Sequence, residues 1–459
     1  MQKRYQQAMN DIINYLLEIT DGTPVWRQAY TDALSDLMSY VVHIDDAQRD
    51  EYFALVNDHA LRFRQAASPS EVHFSLSNLS ATTQTLKSVL VVDFIILRQS
   101  HWGAVEPLAH AFRATTDCCV RIVPTPMIQE RQDAWGSALR ALVKKDGYET
   151  LDFEKYDIEC EMPDIVVDDM AVDCAKIPEF RFLRIANLIE NTVHLEHSIL
   201  TGYTEAMKHA YFRIGRSRCW QYITSSALFA SAFPLVFRID GEYITCGYPE
   251  MDMINKIAAC SWSNHASKTV LWNVDTLDPN KESKTDYFRI EKEIDYLDLM
   301  TTRYPEIVAI VRPHPDFYNQ PRCQVFIQRI IDIVSQKENV KIDKEPLIYH
   351  SYKKADAMVT WMSSTTSFTF GATGKPFVVL PTFMEDGYDT LMDMNLLSTL
   401  YVAFNASDIE SFYKMILTGK DPKAECRKET LLKYTGPVDG TASFDIVKEV
   451  LTRYERRYK

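Results

Sequence analysis

Residues 88–97 read SVLVVDFIIL, a nearly continuous run of apolar and β-branched side chains. Such a composition is typical of a strand that is buried on both faces of a parallel sheet. The polar loop RQSHWG (98–103), the helix-like stretch VEPLAHAFRA (105–114) and a second strand-like run, CCVRIVPTP (118–126), follow it. Strand, loop, helix and strand in this order predict a βαβ unit. Later stretches that can extend the unit are MPDIVVDD (162–169), RFLRIANLIEN (181–191) and RCWQYITSS (218–226).

A second set of strand-like runs begins after residue 254, with helix-like stretches between its members. Two successive units of this kind predict an α/β protein in which two doubly wound, Rossmann-like domains face a cleft. Ligands of such sheets bind outside the carboxyl ends of the strands. The five runs are KTVLWNVDT (268–276), EIVAIVRPHP (306–315), NVKIDK (339–344), ADAMVTWMSS (355–364) and KPFVVLPTF (375–383).

The first 88 residues show helical periodicity, as at Leu34, Leu37 and Val41, and almost no strand signal. We therefore predict four parts, of which the first three are a helical extension over 1–88, a first Rossmann-like domain over 89–255 and a second over 256–435. The last part, 436–459, is predicted to be a helix that packs back on the first domain. It ends in KEVLTRYERRYK, a basic stretch that could touch anionic lipid but is more commonly a solvated face.

The composition excludes several classes of protein. A formal net charge of −13 argues against a protein that coats nucleic acid, which needs clustered Lys and Arg to neutralise phosphates. The nine cysteines have no C-x-x-C pair, which indicates reduced thiols in a cytosolic protein rather than a disulfide framework or a zinc site. The N-terminus makes a poor signal peptide, and no stretch approaches the roughly 20 apolar residues of a spanning helix.

Two polar clusters of the second half predict a phosphate site. Arg312 and His314 follow one strand, and the hydroxyl-rich turn that contains Ser363, Ser364, Thr365 and Thr366 follows another and opens a helix. Hydroxyls and free backbone N–H groups at a helix start attract anions, and a cationic Arg and a His would complete a pyrophosphate clamp. The alternative is that Ser363 is a simple N-cap and His314 a turn residue held by its flanking prolines.

Other polar residues also lie at predicted strand ends. His101 comes directly after the first buried strand, where it could act on a substrate or be an ordinary loop histidine. Asp168 and Asp169 could hold a divalent ion or act as acid and base, but we expect such a pair to cap a following helix. Asp386 and Asp389, in the loop after the last strand run, and Asp316 are candidates for contacts to ribose or to the acceptor.

The order of several short motifs resembles the CDP-glycerol glycerophosphotransferase family of teichoic acid synthesis and the related bacterial capsule polysaccharide transferases. The resemblance covers roughly residues 90 to 400 and implies the GT-B architecture of two Rossmann-like domains. It also implies that the first domain (89–255) binds the acceptor and the second (256–435) the nucleotide donor. The motifs that carry it are Gly247-Tyr248-Pro249 with Asp252, VLWNVDT (270–276), Arg312-Pro313-His314-Pro315, ADAMVT and SSTT (355–366), and GKPFVVL (374–380).

The resemblance also implies roles for particular residues. A histidine near the end of the first domain would be the base that acts on the acceptor hydroxyl; this is His197, with His194 the alternative. His314 would bind the donor phosphates. The chain departs from the family pattern where Ser198 follows His197, where Trp361-Met362 precede the two serines, where Asp275-Thr276 follow the first strand of the second domain, and where Glu250 stands in place of a common arginine. These departures leave the donor open.

We therefore expect a GT-B transferase that moves glycerol phosphate or a sugar from a nucleotide-activated donor, with a CDP-glycerol-like donor first, to a hydroxyl of a cell-surface polymer or glycolipid. The alternatives are a CMP- or UDP-sugar glycosyltransferase of capsule or O-antigen synthesis, and a non-catalytic module that binds nucleotide or polysaccharide. No cofactor is required in this scheme, although Mg²⁺ can accompany the nucleotide. The expected location is the cytoplasm, with the inner face of the bacterial membrane as the site of a lipid-linked acceptor.

Overall fold

A computed structural model gives the architecture of the chain. It describes residues 2–18, 24–65, 69–115, 117–126, 134–169, 176–196, 218–225, 241–258, 268–274, 284–361, 365–380 and 398–457, together with the single positions 227 and 230. No helix within these ranges is long and apolar enough to cross a bilayer.

Four helices form the N-terminal extension, as the periodicity predicted. Met9, Ile13 and Leu16 of the first helix are buried at helical spacing, and they belong to one apolar cluster with residues of the other three helices. The extension is joined to the first sheet, because Gln2 forms a parallel bridge with Val89, next to the first strand. The helices are α1 (Lys3–Glu18), α2 (Pro24–Tyr40), α3 (Asp46–Arg64) and α4 (Pro69–Thr85).

The first sheet has seven parallel strands in the order β3-β2-β1-β4-β5-β6-β7. All seven residues of β1 are buried, which explains why the run that begins at residue 88 is apolar. The strands are β1 (Leu90–Ile96), β2 (Cys118–Pro124), β3 (Glu149–Thr150), β4 (Ile165–Asp168), β5 (Thr192–Leu195), β6 (Gln221–Ile223) and β7 (Glu242–Ile244). The helices described between them are α5 (Trp102–Thr115), α6 (Ala134–Lys145), α7 (Ile158–Glu161) and α8 (Phe182–Leu188).

The second sheet has six parallel strands in the order β10-β9-β8-β11-β12-β13, which is the Rossmann order. The strands are β8 (Thr269–Val274), β9 (Val308–Pro313), β10 (Val340–Ile342), β11 (Ala357–Trp361), β12 (Phe377–Leu380) and β13 (Tyr401–Val402). The helix α9 (Glu250–Ala258) precedes this sheet, and the helices within it are α10 (Lys284–Arg303), α11 (Asp316–Asn319), α12 (Gln324–Gln336), α13 (Ile348–Lys354), α14 (Thr365–Gly371), α15 (Ala406–Thr418) and α16 (Ala424–Thr435).

The chain passes between the two sheets twice. It leaves the first sheet through α9 and returns through the last helix, α17 (Ala442–Arg457), which packs against α5. The two passages meet at Gly247 and Gly436, which have φ angles of 128° and 70°. A Cβ on Gly436 would lie 2.8 Å from the Cα of Gly247, so this close approach requires glycine.

Two doubly wound parallel sheets with flanking helices are the architecture that the sequence predicted. In each sheet the strand order reverses beside the first strand, at β1 and β4 in one sheet and at β8 and β11 in the other. Ligands of such folds bind at these reversal points.

Candidate functional site

A cavity of about 310 Å³ lies where the carboxyl ends of the two sheets face each other. Its volume is at the lower end of the usual range for ligand sites, about 300–1,000 Å³. Residues of both sheets and of the connecting helix α9 line it. They include Arg98, Ser100 and His101 from the first half, Glu250 from α9, and Asn273, Arg312, His314, Tyr349, Thr365 and Thr366 from the second half.

The end of β9 supplies Arg312 and His314. The backbone N–H of His314 donates to the carbonyl of Val274 at 2.8 Å, so the residue is fixed beside the end of β8. The Nη1 atom of Arg312 donates to Asp343 Oδ2 at 2.6 Å and to the Glu345 carbonyl at 2.9 Å. Asp343 therefore balances part of the Arg312 charge, and it holds the guanidinium at the cavity wall.

The start of α14 supplies hydroxyl groups to the same wall. Asn273, near the end of β8, donates from Nδ2 to the Thr366 hydroxyl at 3.0 Å and to the Thr360 hydroxyl at 3.1 Å. Tyr352 forms a 2.8 Å hydrogen bond with the Thr369 hydroxyl one turn later. These bonds fix the first turn of α14 against β8 and β11. Thr365 and Thr366 thus line the same cavity as Arg312 and His314.

On the opposite wall, His101 forms a buried pair with Asp169. His101 belongs to a single 3₁₀ turn after β1, and Asp169 follows β4, the neighbour of β1 in the sheet. His101 Nδ1 lies 2.9 Å from Asp169 Oδ2, and both side chains are at least nine-tenths buried. A carboxylate at Nδ1 orients the ring and favours the tautomer in which Nε2 is basic. This arrangement suits a proton acceptor at the cavity wall.

Asp168 and Asp169 do not act as a pair. Asp168 forms a fully buried ion pair with Lys176, whereas Asp169 contacts His101. The two carboxylates thus have different partners among the described residues, and residues 170–175, where a helix capped by the pair would begin, lie outside them. Within the described residues, no three His, Cys, Asp or Glu side chains come close enough to form a metal site.

Glu250 stands where the family that the sequence resembles commonly has an arginine, and no sequence pattern assigns it to the site. It opens α9, lines the cavity and is 8 % exposed. Its Oε1 accepts a 2.5 Å hydrogen bond from the hydroxyl of Tyr349 on α13. Burial raises the pKa of Glu250 from its ordinary 4.5 to about 7, and the Tyr349 hydroxyl opposes part of that rise. A carboxyl that changes charge near neutral pH is therefore present in the cleft.

The other predicted site residues lie elsewhere. His194 is in the middle of β5, completely buried between the rings of Phe182 and Tyr222, and so does not line the cavity. The backbone of Asp316 begins α11, directly after the His314 segment. The remaining candidates fall outside the described residues: His197, Ser363, Ser364, Asp386 and Asp389.

A second cavity of about 620 Å³ adjoins the first and shares Arg312, Pro313, Pro315 and Pro346 with it. Gln99 and Ala138 line it from the first half, and Tyr318 and residues 342–346 from the second. The cleft is thus wide enough for a ligand larger than the first cavity alone would accept.

Comparisons with protein-family models and with curated proteins find no match to this sequence. Comparison with solved structures does find similar folds. The UDP complex of MnaA from S. aureus has a TM-score of 0.54 at 14 % sequence identity, over 81 % of this chain and 97 % of that one. UDP-GlcNAc 2-epimerase from Neisseria meningitidis, bound to UDP-GlcNAc, has a TM-score of 0.53 at 14 % identity, over 79 % of this chain and all of that one.

A variant of the wall teichoic acid polymerase TagF is similar over a larger part of the chain. Its TM-score is 0.51 at 14 % identity, and the match covers 89 % of this chain and 98 % of that one. At these identities the likeness concerns the fold. Together with the two sheets described above, it shows that the chain has the GT-B architecture.

Proposed function

We propose that this protein is a GT-B transferase that moves glycerol phosphate or a sugar from a nucleotide-activated donor to an acceptor hydroxyl. The observation that carries the proposal is the composition of the 310 Å³ cavity. It combines a buried His–Asp pair from one sheet with an arginine, a histidine and two threonine hydroxyls from the other. Transfer to a hydroxyl needs a proton acceptor on one side and stabilisation of a leaving phosphate on the other.

The first sheet supplies the proton acceptor in this scheme. The acceptor hydroxyl gives its proton to Nε2 of His101, while Asp169 stabilises the imidazolium that forms. The acceptor oxygen forms a bond to phosphorus for glycerol phosphate, or to the anomeric carbon for a sugar, and the bond to the leaving nucleotide breaks. The resemblance to glycerophosphotransferases favours His197 as the base, but that residue lies outside the described part of the chain. His101 is the described histidine with suitable geometry.

The second sheet supplies the stabilisation of the leaving nucleotide. Arg312, His314 and the hydroxyls of Thr365 and Thr366 would bind the phosphates of the donor. Negative charge grows on the oxygen that bridges the two phosphorus atoms if glycerol phosphate is transferred, and on the phosphate oxygen that leaves the anomeric carbon if a sugar is transferred. These side chains can stabilise the leaving phosphate by hydrogen bonds and charge without a metal ion, although Mg²⁺ carried by the nucleotide is compatible with this role.

The choice of donor rests on the resemblances. CDP-glycerol is the first choice because the motif order resembles glycerophosphotransferases, and the fold is similar to that of a teichoic acid polymerase. The UDP and UDP-GlcNAc complexes of proteins with a similar fold support a UDP-linked donor as the alternative, and a CMP-sugar is the third choice. The proposed acceptor is a cell-surface polymer or glycolipid, reached at the inner face of the membrane. The His101–Asp169 pair favours an enzyme over a binding module.

Ligand binding and turnover test the proposal. We expect CDP, CMP or UDP, or one of their glycerol or sugar conjugates, to raise the melting temperature of the protein. His101→Ala should lower turnover of that conjugate by about 10²–10⁴-fold, the usual contribution of a general base, and Asp169→Asn by less. The control is His73→Ala, since His73 is exposed on α4. If none of the ligands binds, or if His101→Ala turns over normally, the proposal is wrong.

A further inference from the structure

Glu250 occupies an unusual position for a carboxyl group. It is the first residue of the helix that connects the two halves, and its side chain lines the cavity that also contains His101 and His314. The groups of the second half that can bind phosphate, including Arg312, line the same small space. A carboxyl group here therefore lies among the groups assigned to the reacting ends of the donor and the acceptor.

Tyr349 holds this carboxyl group in place. Its hydroxyl donates to Glu250 Oε1 at 2.5 Å, and its ring is 5 % exposed. The ring lies directly against Gly103, where a Cβ would come within 2.1 Å of the Tyr349 hydroxyl. Gly103 belongs to the same segment as His101. The Glu250 carboxyl is thus fixed by contacts that reach both halves of the protein.

Among the described residues, the Tyr349 hydroxyl is the only hydrogen-bond donor to the Glu250 carboxyl group; it bonds Oε1, and Oε2 has no donor from this part of the chain. The side chain is 8 % exposed, and it lines the cavity. A buried carboxyl group at a cavity wall with one oxygen available can bond a ligand hydroxyl.

The charges around Glu250 restrict which part of a ligand it can face. Arg98, Arg312, His101 and His314 are the other chargeable side chains that line the cavity, and Tyr349 contacts Glu250 directly. The cations suit the phosphates. A carboxylate next to a phosphate would be repelled, and a protonated carboxyl would compete poorly with the cations for it. A ligand hydroxyl can bond either form of the carboxyl, because it donates to the ionised carboxylate and accepts from the protonated carboxyl group.

We propose that Glu250, positioned by Tyr349, is a specificity-determining residue that hydrogen-bonds a hydroxyl of the transferred glycerol or sugar. This inference rests on the proposed transferase function. On this inference, the part of the transferred group that faces α9 is a neutral polyol. The inference also gives a role to Glu250, which stands where the resembled family commonly has an arginine.

Binding of matched ligand pairs tests the inference. Isothermal titration calorimetry would compare CDP with CDP-glycerol and UDP with UDP-glucose, because each pair differs in the polyol group. For the pair that binds, Glu250→Ala should raise the Kd of the conjugate about 10-fold or more and leave that of the free nucleotide within about 2-fold. Glu250→Gln, which retains a donor and an acceptor, should have a smaller effect and guards against a folding defect in the alanine variant.

The outcomes separate this inference from the proposed function. If the wild-type protein binds none of the four ligands, the transferase proposal fails and this inference fails with it. Suppose that a conjugate binds the wild-type protein. If Glu250→Ala then raises the Kd values of the conjugate and of the free nucleotide equally, or changes neither, only the proposed role of Glu250 is wrong. Tyr349→Phe keeps the ring and loses the hydroxyl. It should raise the Kd of the conjugate but not that of the free nucleotide, and by less than Glu250→Ala does.

Discussion

At the scale of single residues, Glu250 has a protonation state that depends on folding. Its pKa is raised from 4.5 to about 7 by burial, so the folded protein binds this proton more tightly than the unfolded chain does. A group of this kind stabilises the fold fully below pH 4.5, and that contribution is lost as the pH rises towards 7. The whole effect is up to about 3 kcal/mol, since one pKa unit corresponds to about 1.4 kcal/mol.

We therefore predict that Glu250→Gln becomes more stable relative to the wild-type protein as the pH rises from 5 to 8, because glutamine has no proton to lose. Urea unfolding at several pH values would measure the difference in free energy of unfolding. His101, His314 and Tyr349 remain in both proteins, so their contributions to stability largely cancel in the difference. Glu429→Gln, at an exposed position on α16, should show a difference that does not change with pH. A flat difference for Glu250→Gln would contradict the raised pKa.

The residues of the site differ in how far the sequence could predict them. Arg312, His314, Thr365 and Thr366 follow predicted strands, and parallel strands end at one edge of a sheet, so their meeting could be expected. Predicting Asp169 as the partner of His101 requires knowledge of the strand order. The two residues are 68 positions apart in the sequence, and they meet because β1 and β4 are neighbours in the sheet. The groups around Glu250 come from three segments that are distant in the sequence, those of His101, His314 and Tyr349, and no local pattern indicates that they meet.

At the scale of secondary-structure elements, strand length decided what the sequence could predict. The strands β1, β8, β11 and β12 are almost entirely buried and lie within apolar runs of the sequence, and β9, of which every second residue is buried, lies within another. The strand β13 at the edge of the second sheet has only two residues, Tyr401 and Val402, and both are partly exposed. So short a segment has neither a continuous apolar run nor several periods of alternation, and the sequence did not predict it.

The start of α5 depends on a contact with another element. Gly103 would normally weaken a helix by about 1 kcal/mol relative to alanine. Here the missing Cβ lets the Tyr349 ring pack within the space that a methyl group would occupy, at 2.1–2.5 Å from three of its atoms. The approach of α13 to α5 thus requires glycine at this position, and the gain in helix propensity from alanine would not compensate.

We predict that Gly103→Ala destabilises the protein by about 1–3 kcal/mol, the usual cost of overpacking, and displaces Tyr349 from Glu250. The matched control is the same substitution in a Tyr349→Ala background, where the ring is absent and alanine should be neutral or stabilising. Thermal or urea unfolding of the four proteins gives the coupling between the two positions. Additive effects would show that the Gly103–Tyr349 contact does not determine stability.

At the scale of the whole molecule, the last helix connects the end of the second half to the first. The helix α17 packs against α5, and the hydroxyl of Tyr454 donates to Asp164 Oδ1 at 3.2 Å. Asp164 follows α7, and it also accepts hydrogen bonds from the backbone of Arg4 and Val91, at the extension and at β1. A single buried carboxylate therefore joins the N-terminal extension, the first sheet and the C-terminal helix.

The other end of α17 is held by Asp252 of the connecting helix α9. Its Oδ1 accepts from the backbone N–H of Ala442 at 3.1 Å and its Oδ2 from that of Ser443 at 2.8 Å. Asp252 is 7 % exposed, so both bonds are shielded from water. A carboxylate at the first turn of a helix satisfies N–H groups that have no partner within the helix, and it complements the helix dipole.

We predict that Asp252→Ala lowers the free energy of unfolding by about 1–3 kcal/mol, because two buried N–H groups at the start of α17 lose a charged acceptor. Asp252→Asn keeps one acceptor oxygen and should cost less. Glu429→Ala, at an exposed position, should change stability by no more than about 0.5 kcal/mol. Urea unfolding of these variants measures the differences. Because α17 carries the chain back to the first half, limited proteolysis of Asp252→Ala should also cleave near residues 436–442 faster than in the wild-type protein. An Asp252→Ala variant as stable as Glu429→Ala would mean that α17 is held by its packing on α5 alone.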